Sequence, residues 1–117
     1  MLFVMLPWPP SVNTYYRHVV VKGSARVLLS SKGREYQQHA ALSLAGWAVP
    51  PPPHAVRVVL HPPTRRRFDL DNFMKGLLDS VYRSIRLDDS VIDRLSIERG
   101  EPTPGGEAWV WIEEVKA

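Results

Sequence analysis

The sequence predicts a single small α+β domain spanning residues 1–117, with elements in the order β-α-β-α-β-β and two helices packed on a mixed sheet. Three observations predict it. Two stretches repeat apolar residues at helical spacing, four short runs are apolar or β-branched, and proline- or glycine-bearing segments separate them. At 117 residues and 44% hydrophobic content, the chain suits one core.

Residues 2–6 form a short apolar run ended by Pro7-Trp8-Pro9-Pro10, through which no helix or central strand continues. From there to about Ser31 the chain reads as irregular, with Val19–Val21 and Ala25–Leu29 able to pair as a small hairpin around Lys22-Gly23-Ser24. Ser30 or Ser31 can cap a first helix to about Trp47, whose apolar face is Tyr36, Ala40, Leu44 and Trp47. Pro50–Pro53 end it and form a stiff connector. Ala55–Leu60 reads as a central strand. The second helix is the clearest element: Leu70, Phe73, Met74, Leu77, Leu78, Val81, Tyr82 and Ile85 keep the i, i+3, i+4, i+7 pattern. Val91–Arg99 and Ala108–Val115 read as strands joined by the turn residues Pro102–Gly106, with Trp109 and Trp111 on one strand face as core or dimer interface.

Composition narrows the function. The chain has no cysteine, which excludes disulfides, Fe–S clusters and thiolate zinc sites and agrees with a cytoplasmic location. Its four histidines share no ligand spacing, which argues against zinc. The apolar N-terminal run is too short for a signal peptide or a membrane span. Net charge is only +3, yet Arg65-Arg66-Arg67 concentrates three positives directly before an acidic pair, a distribution suited to a polyanion.

The chemistry concentrates there. Asp69 falls at a strand end or N-cap and Asp71 in the first helical turn, where both carboxylates can face one point. Lys75 lies one turn on, at i+4 from Asp71. Asp88-Asp89 follow the helix. A straight helix of roughly 16 residues spans about 24 Å, so its two ends meet one metal only if the chain folds back or a second copy supplies Asp89. Mg²⁺ favours such hard oxygen ligands, and clustered carboxylates repel one another without a cation. Ordinary explanations stand beside these. Asp at a helix start caps it and complements its dipole, Asp-Asp-Ser is common turn chemistry, and Lys75 can simply pair with Asp71 or Asp79. The tri-arginine can be a solvated face. Tyr15, Tyr16 and Arg17 can contact DNA by stacking and phosphate binding, or can pack the N-terminal loop down.

Two stretches together resemble the RusA family of Holliday-junction resolvases. One runs Leu6-Pro7-Trp8-Pro9-Pro10-Ser11-Val12-Asn13-Thr14-Tyr15-Tyr16-Arg17-His18. The other runs Arg65-Arg66-Arg67-Phe68-Asp69-Leu70-Asp71-Asn72, followed by Lys75, Leu78-Asp79 and Leu87-Asp88-Asp89. The resemblance spans nearly the whole chain. It implies a homodimer that binds four-way junction DNA and makes paired symmetric nicks with Mg²⁺ or Mn²⁺, without an organic cofactor or a membrane. By motif match, the family's three essential aspartates fall on Asp69, Asp71 and Asp89 as metal ligands, and its essential lysine on Lys75. DNA contact falls to Asn13, Tyr15, Tyr16, Arg17 and Arg65–Arg67. Two features depart from the pattern. Phe68 replaces a common arginine, and the Tyr82–Asp89 connection is short and lacks a glycine often found there. The rival functions are a non-catalytic nucleic-acid-binding module and a metal nuclease preferring flaps or forks. A module that only binds DNA gains nothing from carboxylates placed beside phosphate.

Overall fold

The computed structural model describes residues 1–116. Its elements are β1 (Leu2–Pro7), α1 (Val12–Tyr15), β2 (Tyr16–Val21), β3 (Ser24–Leu29), α2 (Ser31–Leu44), β4 (His54–His61), a 3-10 turn (Leu70–Phe73), α3 (Met74–Ser84), a second 3-10 turn (Asp89–Val91), β5 (Ile92–Arg99) and β6 (Glu107–Glu114). The expected α+β class and mixed sheet are present: β1-β6-β4-β5, with β4 and β5 parallel and the other neighbours antiparallel.

Strand alternation divides the sheet into two faces. Leu2, Val4, Leu6, Val56, Val58, Leu60, Ala108, Val110 and Ile112 point toward α2 and α3 and form the core with Tyr36, Ala40, Leu44, Leu77 and Val81. The opposite face is open. It carries Phe3 packed on Trp111 at 4.8 Å, Trp109 edge-on to Trp111 at 6.2 Å, and the Arg57 guanidinium 4.8 Å over Trp111.

The expected element order is corrected between β1 and α2. The stretch to Ser31 is not irregular: a helical turn leads into the β2–β3 hairpin, whose two-residue turn places Lys22 at φ 51 and Gly23 at φ 79. Positive φ at both turn positions matches strand twist, and a lysine–glycine pair tolerates it. Among the described residues the hairpin pairs only with itself. α2 is shorter than expected. Ser30 caps it by accepting the Gly33 N–H at 3.0 Å, but Gly46 at φ 81 stops it, so Trp47 lies beyond the helix and is exposed. The second helix is split, with its first turn tightened to 3-10 before α3 begins.

Buried Tyr15 ties these parts together. Its hydroxyl bonds Ser80 at 2.7 Å, its carbonyl accepts the Ser30 N–H at 3.0 Å, and its ring lies against Gly76 of α3. His54, also fully buried, faces Tyr82 at 2.7 Å and the Pro50 carbonyl at 2.8 Å. A carbonyl can only accept, so Nε2 donates to Pro50, and in the neutral ring Nδ1 accepts from the Tyr82 hydroxyl.

Candidate active site

The parallel pairing of β4 with β5 forces a long crossover, and the candidate carboxylates all lie within it, across residues 62–91. Arg65, Arg66 and Arg67 leave the end of β4 exposed. Phe68 then turns inward, edge-on to Trp8 at 5.2 Å and to Phe73 at 5.5 Å. Leu70 turns inward as well, which leaves Asp69 between them in extended backbone and facing water.

Asp69 occupies the N-cap position yet makes no capping hydrogen bond, so the capping explanation does not apply to it. Asp71 is exposed in the first turn. Neither carboxylate has an ion-pair partner among the described residues. Asp88 differs: it accepts the Ser90 N–H at 2.8 Å, and that hydrogen bond holds its carboxyl below the usual range.

After α3 the chain does fold back. It turns on Arg86 at φ 61, the position where sequence offers no glycine, with the Leu87 N–H donating to the Tyr82 carbonyl at 3.1 Å. This return brings Asp89 close enough to Asp79 and Tyr82 to raise the pKa of both, with burial the larger cause in each. It does not bring Asp89 to the other two aspartates. Among the described residues no three acidic or histidine side chains stand close enough to hold a metal. The expected pocket uniting Asp69, Asp71 and Asp89 is therefore not formed within one chain.

Lys75 pairs with Asp79, not Asp71, at 3.3 Å. Asp79 is well covered, with its side chain 14% exposed, and the Tyr16 hydroxyl donates to the same oxygen that faces Lys75. Burial chiefly raises the Asp79 pKa; Asp89 adds to that, Arg83 opposes it, and Asp88 raises it further.

Of the candidate DNA contacts, Asn13, Arg17 and the three arginines are exposed. Tyr15 is 0% exposed and offers no face to a base, so its role is packing, the alternative left open for this segment. Tyr16 is half-buried. One residue sequence reasoning missed is Arg99 at the end of β5. Its Nη2 donates to the Phe68 carbonyl at 2.9 Å, and its guanidinium lies 4.2 Å over the Phe68 ring. With Arg65–Arg67, Asp69 and Glu101 it lines a cleft of about 720 Å³. A cation thus stands over the position where Phe68 replaces the expected arginine.

The donor chemistry fits a hard divalent cation. Such an ion keeps several waters and needs only one or two carboxylates plus phosphate oxygens, and Asp69 lines a basic cleft with exposed Asp71 two residues on.

Comparison with known proteins identifies the family. Residues 7–113 match the model of a family described as endodeoxyribonuclease RusA. The chain is 35% identical over 117 residues to the crossover junction endodeoxyribonuclease rusA of Enterobacteria phage HK97, covering 97% of this chain and 94% of that protein. It is 33% identical over 116 residues to the protein of the same name from Enterobacteria phage 82, covering 96% and 93%. It is also 33% identical over 119 residues to crossover junction endodeoxyribonuclease RusA of Escherichia coli strain K12, again covering 96% and 93%. Motif spacing, the carboxylate-bearing crossover and near-full-length identity lead to one assignment: this chain belongs to the RusA endodeoxyribonuclease family.

Proposed function

We propose that this chain is a metal-dependent endonuclease that resolves four-way DNA junctions by paired, symmetric hydrolysis of two phosphodiester bonds. The observation that carries the reading is the state of Asp69, exposed and without a capping hydrogen bond or an ion-pair partner among the described residues, in a cleft it lines with Arg65, Arg66, Arg67 and Arg99, with exposed Asp71 two residues on. Carboxylates left free beside arginines cost affinity for a polyanion, so a role in binding alone does not account for them.

Asp69 and Asp71 are the residues that would hold Mg²⁺ or Mn²⁺, with Asp89 contributed by a second copy of the chain. When bound, the ion supplies charge stabilisation at the phosphate and activates water. The arginines hold the DNA backbone, and they do so through phosphates and not bases, which makes binding steeply salt-dependent. Exposed Asn13 and Arg17, with Tyr16, lie in the segment that would extend this contact. Lys75 places its ammonium on the polar face of α3 to neutralise charge developing on phosphate oxygens.

The active form is a homodimer, since two identical sites related by a two-fold cut strands related by the same symmetry. The open sheet face supports this. It exposes Met5 beside Phe3, Trp109 and Trp111. No helix among the described residues is long and apolar enough to cross a membrane, and the proposed place of action is the cytoplasm, where the DNA is.

A nicking assay tests the reading on a four-way junction, a flap and plain duplex, each with Mg²⁺ or EDTA. Paired cuts in the junction that require metal are expected, and Asp71→Asn is expected to stop cutting while junction binding holds or tightens. Normal cutting by that variant would remove Asp71 from the site; equal cutting of flap and junction would favour the fork- or flap-nuclease reading.

A further inference from the structure

We propose that Asp79, itself fixed by the Tyr16 hydroxyl, is a positioning residue that holds the Lys75 ammonium for the reaction. The inference rests on the reading of Lys75 given above.

The geometry separates this contact from an ordinary helix pair. A surface i,i+4 ion pair contributes about 0.3–0.5 kcal/mol and leaves both side chains mobile. Lys75 fits that description alone, with its side chain 59% exposed. Asp79 does not. Its side chain is 14% exposed, and its Oδ2 takes both the Tyr16 hydroxyl and, at 3.3 Å, the Lys75 ammonium. Both donors meet one oxygen, so the carboxylate cannot rotate without losing the two together.

The anchor extends inward. Tyr16 begins β2 and packs edge-on against Tyr15 at 4.8 Å, and Tyr15 is fully buried and bonded to Ser80 of α3 at 2.7 Å. Asp79 and Ser80 are consecutive on α3. The hairpin base therefore grips the helix at two adjacent residues, one grip structural and the other ending on the lysine.

Stability does not explain the arrangement. A lysine preceding its acid by four is the less favourable order on a helix. Asp79 is also largely withdrawn from water, and Asp89 acts against its charge, with Arg83 favouring it and Asp88 opposing it again. Asp79 is poorly placed for stability and well placed to aim a cation. An ammonium on four rotatable bonds needs such a partner if it is to meet one phosphate oxygen, because misplacement by about 1 Å can cost on the order of a hundredfold in rate.

The test is single-turnover cleavage of a four-way junction at saturating enzyme with Mg²⁺. It compares the parent with Asp79→Asn, Asp79→Glu, Tyr16→Phe, Lys75→Ala and the Lys75→Ala/Asp79→Asn double variant. Junction affinity is measured in EDTA and each variant's melting temperature is recorded. Asp79→Asn is expected to cut about ten- to a hundredfold more slowly with affinity unchanged, and Asp79→Glu to recover part of the loss. In the Lys75→Ala background the same change is expected to add nothing, because the group it positions is gone.

Parental cutting by Asp79→Asn beside an impaired Lys75→Ala overturns the inference. So does an undiminished effect of Asp79→Asn in the Lys75→Ala background. If Asp79→Asn lowers the melting temperature, Tyr16→Phe decides, since it keeps the carboxylate and the ring: at saturating enzyme, slower cutting that adds nothing to the loss of Lys75→Ala upholds the inference, and parental cutting, or a loss that adds to that of Lys75→Ala, overturns it. Parental cutting by Lys75→Ala is a separate failure, that of the reading of Lys75, while loss of cutting by Asp71→Asn would still uphold the nuclease.

Discussion

Arg99 commits one guanidinium N–H to the Phe68 carbonyl and stacks its plane on the Phe68 ring, which leaves its remaining donors toward the cleft beside Asp69. A guanidinium held in this way is suited to a phosphate. Arg99→Ala is expected to weaken junction binding and reduce the slope of log affinity against log salt by about one, the signature of one lost phosphate contact. An unchanged slope measured by a salt titration would confine Arg99 to packing Phe68. Sequence alone made Asp69, Asp71 and Lys75 visible because they share one short segment. Arg99 was hidden, since it reaches that segment only through the β4–β5 pairing. Tyr15 was ambiguous for another reason: composition does not distinguish a tyrosine that stacks on a base from one that stacks on a glycine. Gly33 and Gly76, both inside helical segments with no turn to serve, were the signal that something large had to come close.

At the scale of elements, α3 shows how closely these parts fit. A Cβ added at Gly76 would stand 2.8 Å and 2.9 Å from Tyr15 ring atoms, and the ring is buried and held at its hydroxyl. Alanine gains about 1 kcal/mol of helix propensity over glycine, while overpacking a core costs about 1–3 kcal/mol. Overpacking wins, so Gly76→Ala is expected to destabilise the fold by about 1 kcal/mol, read as a lowered denaturation midpoint. A stabilised variant would show that Tyr15 moves freely. The apolar rhythm located α3 because five of its buried side chains, Met74, Leu77, Leu78, Val81 and Tyr82, follow it closely. It did not reveal the 3-10 turn at Leu70–Phe73, since apolar spacing over a single turn serves either helix type. Nor did it reveal the end of α2, where Gly46 overrides a tryptophan at the next favourable position.

In the whole molecule, helices cover one face of the sheet and leave aromatic residues on the other. Replacing Trp111 with aspartate puts a carboxylate between Phe3 and Arg57 on that open face, away from α2 and α3. If the face joins two copies, Trp111→Asp is expected to sediment as a monomer and to lose paired nicking. A dimer that survives the change places the interface elsewhere. The mixed sheet was legible in the strand pattern, but its order was not, because pairing β6 between β1 and β4 depends on long-range registers that no local segment records. That order also gathers the candidate carboxylates, Lys75 and the arginine tract into one continuous return path between two parallel strands. The enzyme's chemistry is in this sense a cassette. It is not a detachable one, because the same path supplies Leu77, Leu78 and Val81 to the covered face of the sheet; whatever loosens the site also uncovers the hydrophobic interior, and activity and melting should fail together.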